Sequence, residues 1–193
     1  MHLTAIRHTP PVQQGICAGR SDFAVLDPHQ WIDSVFFAPD MASVECIYSS
    51  PALRCSRFAD LIAARLSLKI RIDPRLQEVN FGNWEGRSWT EIESLDHEEF
   101  HAWANNWQHA APPNGESIAD LERRIADFLG DIVQTPALLV THAGPIRAMQ
   151  VLCQSIAWNA VMSVAVPYAT LIRIQWEPFA IGRGISTPSQ VLV

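Results

Sequence analysis

The chain is 193 residues long, 48% hydrophobic and 18% charged, with a formal net charge of −6. That length and balance suit one core-forming domain and exclude a disordered or low-complexity chain. The acidic balance excludes a general nucleic-acid-binding surface, which needs a basic face, yet a few arginines can still dominate one pocket.

The first apolar run, residues 2–6, reads as a strand and ends on Arg7-His8-Thr9-Pro10. A second strand is expected over 44–49. Ser49-Ser50-Pro51 then leads into a helix over 52–66, where Leu53, Phe58, Leu61, Ile62 and Leu66 recur near the helical period. A strand over 69–73 precedes Arg75-Leu76-Gln77-Glu78-Val79-Asn80-Phe81-Gly82. Residues 84–107 carry Trp84, Trp89, Trp103 and Trp107, read first as core packing and second as a lid over a flat aromatic ligand. Pro112-Pro113-Asn114-Gly115 is a turn. A helix over 117–133 follows, with Ser117 and Asp120 spaced as a capping box and Ile118, Leu121, Ile125, Phe128, Leu129 and Ile132 on one face. Strands are expected at 137–142, 163–167 and 170–176, a helix starts near Gly144-Pro145, and 177–193 reads as a tail or edge strand. Strands alternating with helices predict a layered α/β fold with a largely parallel sheet.

Open α/β sheets hold ligands at the carboxyl ends of their strands, and two such ends carry histidines, His8 and His142. Arg7 has no acid beside it in sequence, so a guanidinium leaving an apolar strand there calls for a phosphate or carboxylate ligand. Arg54 falls in the first turn of its helix, where a cation opposes the helix dipole at a cost of about 0.3–1 kcal/mol. An anion bound at that terminus reverses the sign. Glu78 is a lone loop acid, while Arg57, Glu85, Glu91 and Glu93 read as exposed charges. The four scattered cysteines lack C-x-x-C pairing and read as reduced thiols, and no apolar run reaches the roughly 20 residues that span a bilayer. A cytoplasmic protein without a bound metal is expected. Neither a P-loop nor a G-x-S-x-G elbow is present.

Four pieces then stand in order: Arg7-His8-Thr9, Ser49-Ser50-Pro51-Ala52-Leu53-Arg54, Leu76-Gln77-Glu78-Val79-Asn80-Phe81-Gly82-Asn83-Trp84-Glu85-Gly86, and Val140-Thr141-His142-Ala143-Gly144. With them the chain resembles the histidine phosphatase (phosphoglycerate mutase-like) superfamily. The resemblance implies a three-layer α/β/α sandwich with a mostly parallel central sheet, a single domain over 1–193, and no cofactor. It implies that His8 is the phosphoryl-accepting nucleophile and Glu78 the proton donor and acceptor. Arg7, Arg54 and a protonated His142 hold the phosphoryl oxygens. Thr9 stands where glycine is commoner, and Pro10-Pro11-Val12-Gln13-Gln14 lacks the family's polar Thr and Asn, leaving the glutamines, with Gln14 as the candidate phosphate contact. Gly15-Ile16-Cys17-Ala18-Gly19-Arg20-Ser21-Asp22, Trp103-Ala104-Asn105-Asn106-Trp107 and Pro112-Pro113-Asn114-Gly115-Glu116-Ser117 are most similar to α-ribazole phosphatases. That likeness implies metal-independent hydrolysis of α-ribazole 5′-phosphate or cobalamin 5′-phosphate. A sugar-phosphate or broad phosphatase, a phosphoglycerate mutase and a non-catalytic phospho-ligand domain are the alternatives. The chain is short for the mutases, and its filled catalytic positions argue against the non-catalytic reading. The expected partner is a small phosphomonoester, with neither nucleic acid nor membrane, and the candidate protein assembly is a homodimer.

Overall fold

The computed structural model describes residues 2–132 and 135–175. In chain order it contains β1 (His2–Arg7), α1 (His29–Phe36), β2 (Cys46–Ser49), α2 (Leu53–Leu66), β3 (Ile70–Ile72), α3 (Trp89–Leu95) and α4 (His97–Asn105). These are followed by α5 (Ile118–Asp131), β4 (Ala137–Thr141), α6 (Ala143–Gln154), α7 (Trp158–Ser163) and β5 (Leu171–Gln175). The strands form one sheet in the order β3-β2-β4-β1-β5, parallel except where β5 runs against β1.

Side-chain alternation along the strands divides the core in two. Leu3 and Ala5 of β1 and Leu139 of β4 pack under α5 and α6 with Leu121, Ile125, Phe128, Ile146 and Met149. Ile6, Ile47, Leu138 and Val140 face the other way, onto Val35 of α1 and Cys55, Phe58 and Ile62 of α2. Covered on both faces, β4 is buried throughout and therefore reads as an unbroken apolar run. A third, smaller cluster of Cys17, Trp84 and Ile92 joins α3 and α4 to the loop after β1, with Phe81, Trp89, Phe100 and Trp103 packed against it.

The two strongest helix expectations are met within a residue or two, and Ser117 and Asp120 form the reciprocal capping box. Leu53, expected on the buried face of α2, is instead 50% exposed, because the first turn gives its inner position to Arg54. The strand expected at 163–167 does not form. The run enters as the end of α7, and the carbonyls of Val164 and Val166 accept hydrogen bonds from Arg147 and Arg7 rather than from a ladder. Pro167 has no N–H to give one. Helices α1, α3, α4 and α7 were not predicted as such, since none is longer than two or three turns and their apolar residues serve loops as much as the main core. The expectation for 177–193 lies outside the described residues.

Candidate active site

The parallel order places the carboxyl ends of β1 and β4 side by side, with Arg7 opposite Thr141 in register. His8 therefore leaves the sheet next to His142, and the two rings meet edge to face with centroids 5.2 Å apart. His8 is 3% exposed. Its Nδ1 lies 2.7 Å from the Thr9 carbonyl, and a carbonyl only accepts, so Nδ1 carries the proton and Nε2 keeps a free lone pair. Burial, aided by the Arg54 and Arg7 guanidinium groups and opposed by the Thr9 carbonyl, pushes its pKa down to about 3. At neutral pH the ring is uncharged.

Two arginines flank it. Arg54, on the second residue of α2, is 2% exposed and donates to the carbonyls of Ser21 at 2.8 Å and Gly19 at 2.5 Å. Arg7 donates to the Val166 carbonyl at 2.9 Å and the Tyr168 hydroxyl at 2.8 Å. The Nε of each is buried with no hydrogen-bond partner among the described residues. A buried guanidinium N–H without an acceptor is costly, and an anion beside His8 would supply one. The dipole at the start of α2 is already met within the chain: Asp22 accepts from the Leu53 N–H at 2.9 Å and stands 3.8 Å from Arg54. That terminus needs no ligand for its own sake, which corrects the expectation drawn from its dipole.

His142 is fully buried, with Nε2 2.9 Å from the Ser50 hydroxyl and 3.4 Å from the Cys55 sulfur. Burial, then the nearby Arg54 and His8, holds its pKa well below the ordinary imidazole value. The protonated His142 expected from sequence is thus neutral in the free protein and contributes a hydrogen bond rather than a charge.

Glu78 arrives from the loop after β3. Its carboxylate accepts from the N–H groups of Val79 and Gly144, each at 3.0 Å, so it caps the first turn of α6. Burial raises its pKa, against the pull of the Val79 N–H and of Arg7, Arg54 and Arg124. Gly144 is required here: a Cβ would run into Oε1 of Glu78. Arg124 of α5 fixes the loop by donating to the carbonyls of Gln77 at 2.7 Å and Glu78 at 3.1 Å while pairing with Glu116 at 2.6 Å.

These groups sit at one end of a cavity of about 780 Å³ whose lining includes Arg7, His8, Glu78 and Gly144. His142 and Arg54 lie buried beside His8. Gln14 lines the same cavity with an exposed side chain, as does Gln13, and neither has a hydrogen bond among the described residues. Thr9 takes no part in the cavity: fully buried, it donates to the Leu26 carbonyl at 3.1 Å and ties the 10–28 loop to the strand end. The tryptophans divide. Trp84 is buried packing, its indole N–H on Asp96 at 2.9 Å, whereas Trp89, Trp103 and Trp107 line the cavity, joined by Trp158 of α7. Glu85, expected as an exposed charge, is half-buried. Burial would raise its pKa, but the Ser21 hydroxyl and the backbone N–H groups of Arg20, Ser21 and Phe81 all donate to it and together lower its pKa. Arg57, Glu91 and Glu93 are exposed, as expected.

One spacing escaped the sequence reading: His97-Glu98-Glu99-Phe100-His101 has the H-E-x-x-H form. It lies on the outer side of α4 with the two rings 4.3 Å apart, and no group of three or more metal-ligating side chains occurs among the described residues. Also missed were Arg147 and Tyr168, which line the cavity from segments with no recognisable motif.

A sequence model described as histidine phosphatase superfamily (branch 1) matches residues 6–181. The chain belongs to the histidine phosphatase superfamily. Among curated relatives of this histidine phosphatase is a Hydrogenobacter thermophilus protein with the provisional name phosphoserine phosphatase 2. It is 28% identical over 170 residues, covering 86% of this chain and 83% of that one. The adenosylcobalamin/α-ribazole phosphatase of Escherichia coli is 32% identical over 106 residues, 53% of this chain and 52% of the relative, so that match spans about half its length. The structure of α-ribazole phosphatase from Shigella flexneri superposes with a TM-score of 0.81 over 90% of this chain and 89% of that one, at 24% identity, a likeness of fold. No helix among the described residues is long and apolar enough to cross a membrane.

Proposed function

We propose that this histidine phosphatase is a metal-independent phosphomonoesterase that works through a phosphohistidine and acts on α-ribazole 5′-phosphate or cobalamin 5′-phosphate. The observation that carries the chemistry is His8: an uncharged ring with Nε2 free, beside two buried arginines whose Nε donors lack partners. Nε2 attacks phosphorus while Arg7, Arg54 and His142 hold the non-bridging oxygens, an arrangement in which positioning and charge stabilisation supply most of the catalysis. The P–O ester bond breaks and Glu78, whose pKa burial raises in the direction an acid needs, gives a proton to the departing alkoxide. Glu78 then takes a proton from water as that water attacks the phosphohistidine, releasing inorganic phosphate and restoring His8. Gln14 is the proposed additional phosphate contact at the rim.

The substrate reading rests on the far end of the cavity. Its volume of about 780 Å³ exceeds the need of a glycerate or triose phosphate, and Phe81, Trp89, Trp103, Trp107 and Trp158 wall it. Such a wall suits the flat ring system of a benzimidazole riboside. The similarity to adenosylcobalamin/α-ribazole phosphatase over half the chain points the same way. A second reading, phosphoserine, is favoured by the provisional name of the Hydrogenobacter relative and by Arg147, a cation inside the cavity suited to a carboxylate.

Two measurements test this. Hydrolysis of p-nitrophenyl phosphate that persists with EDTA, with acid-labile, alkali-stable phosphate trapped on the protein, is the expected result. Loss of activity with chelator, or no trapped phosphate, rejects the mechanism. Across α-ribazole 5′-phosphate, phosphoserine, phosphoglycerates and sugar phosphates, the highest kcat/KM is expected for the first. Equal values reject the specificity.

A further inference from the structure

We infer that Arg147 forms a second polar subsite in the cavity, binding a hydroxyl or carboxylate oxygen carried by the leaving alcohol. The inference rests on the phosphomonoesterase reading and adds how the alcohol is held. Arg147 lies on α6, one turn beyond Gly144, whose N–H touches Glu78. Its guanidinium reaches the carbonyls of Val161 in α7 and of Val164 just beyond it, and that helix brings Trp158 and Met162 to the wall. It thus stands between the proton-transfer carboxylate and the aromatic end.

Three facts make it a binding group rather than a brace. Both of its hydrogen bonds are 3.3 Å long, weaker than the 2.5–2.9 Å bonds that hold Arg54 and Arg7. None of the ion pairs among the described residues includes it. The other acid on the cavity wall, Glu116, is already paired with Arg20 and Arg124 at 3.0 and 2.6 Å. A half-buried guanidinium in an aromatic-walled cavity, with no carboxylate of its own, is stabilised by an oxygen acceptor that arrives with the substrate. A ribose hydroxyl and an amino-acid carboxylate share that chemistry.

The test compares wild type, Arg147→Met and Arg147→Lys on phenyl phosphate, whose alcohol carries no acceptor, ribose 5-phosphate, which carries hydroxyls, and O-phosphoserine, which carries a carboxylate. Arg147→Met should lose about tenfold in kcat/KM on an acceptor-bearing ester, mostly through KM, while phenyl phosphate stays within about twofold. Arg147→Lys should recover part of the loss. Which ester suffers more names the oxygen. Because the esters are compared on one preparation, a smaller folded fraction cancels. Equal losses on all three, or none, overturn the inference. If wild type hydrolyses no ester, the phosphatase reading fails and Arg147 is judged by binding alone, followed by tryptophan fluorescence. Arg147→Met must then weaken ribose 5-phosphate or O-phosphoserine more than inorganic phosphate, and equal weakening overturns the inference.

Discussion

Around the end of the cavity proposed to take the phosphoryl group, His8, Arg54 and His142 are at most 3% exposed, and backbone carbonyls orient His8 and Arg54. At the aromatic end, Trp89 and Trp103 lie nearly parallel with centroids 6.1 Å apart, and Trp107 meets Trp158 edge to face at 5.9 Å. Few hydrogen bonds hold that wall; one is the Trp158 indole N–H on Glu122 at 2.6 Å. The first end is a set of buried polar groups locked by the ends of β1, β4 and the start of α2. The second is a shape made by excursions from the sheet. A locked polar array suits one reaction, and an aromatic wall suits the choice among esters, so changes at the two ends should have separable effects.

The sharpest break is His8→Ala, expected to cost about ten-thousandfold or more in kcat on every ester alike, as removal of a nucleophile does. An ester spared by the variant would detach the phosphoryl end from catalysis. Gly144→Ala comes next. Its Cβ must displace the Glu78 carboxylate, so kcat should fall about a hundredfold with KM nearly unchanged, the range of general acid–base catalysis. Its alkaline limb should also move, since Glu78 must be protonated to act as an acid. An unaltered pH–rate profile would remove Glu78 from proton transfer. Trp107→Ala should lower kcat/KM for α-ribazole 5′-phosphate by about tenfold, a fraction of an aromatic side chain's burial energy, and leave glycerol phosphate within about twofold. A uniform loss would make the wall structural.

Acid should expose the cost of the locked end. His8 is neutral in the fold, with a pKa near 3, but in the unfolded chain it protonates below about 6.5. Its neutral burial costs nothing above 6.5, and stability is lost as pH falls from there toward 3. His142 behaves in the same direction. Each histidine can remove up to about 1.4 kcal/mol per pH unit in that window. Glu78, raised by burial, has the opposite sign: it favours the fold at low pH and loses that contribution as pH rises past its unfolded value of 4.5, so it blunts the slope. Urea unfolding at about pH 6.5 and 5.5 should show His8→Asn less pH-sensitive than wild type by about 1 kcal/mol. Equal sensitivity would mean that His8 is not buried neutral. The smallest effect is expected from Thr9→Val, about 1 kcal/mol of stability from the Leu26 carbonyl left without its donor, with kcat unchanged. A fall in kcat would bring Thr9 into the site.

Apart from Glu78, a lone loop acid singled out only by the family resemblance, the site candidates were legible because each is coded locally. Arg7-His8 and His142 follow strands whose apolar runs announce their ends, and Arg54 follows Ser50-Pro51 at a helix start. Residues whose role depends on distant partners were not legible. Glu85 reads as a surface charge until the 19–22 loop folds onto it, and Arg147 is one more helical arginine until α7 and Glu78 come up on either side. Val164-Ala165-Val166 has strand composition, but its carbonyls are claimed by Arg7 and Arg147 from elsewhere in the chain.

By itself the sequence determined the main strands, the two long amphipathic helices, the largely parallel sheet and the motif residues, because periodicity and local turn chemistry need only near neighbours. It also set the capping box at Ser117 and Asp120. Only the tertiary structure decided the protonation states and the wall. The neutral His8 and His142 and the raised Glu78 come from burial, and the cavity joins residues from Arg7 to Tyr168. Desolvation and concave shape belong to the packed whole, and no short stretch of chain carries them.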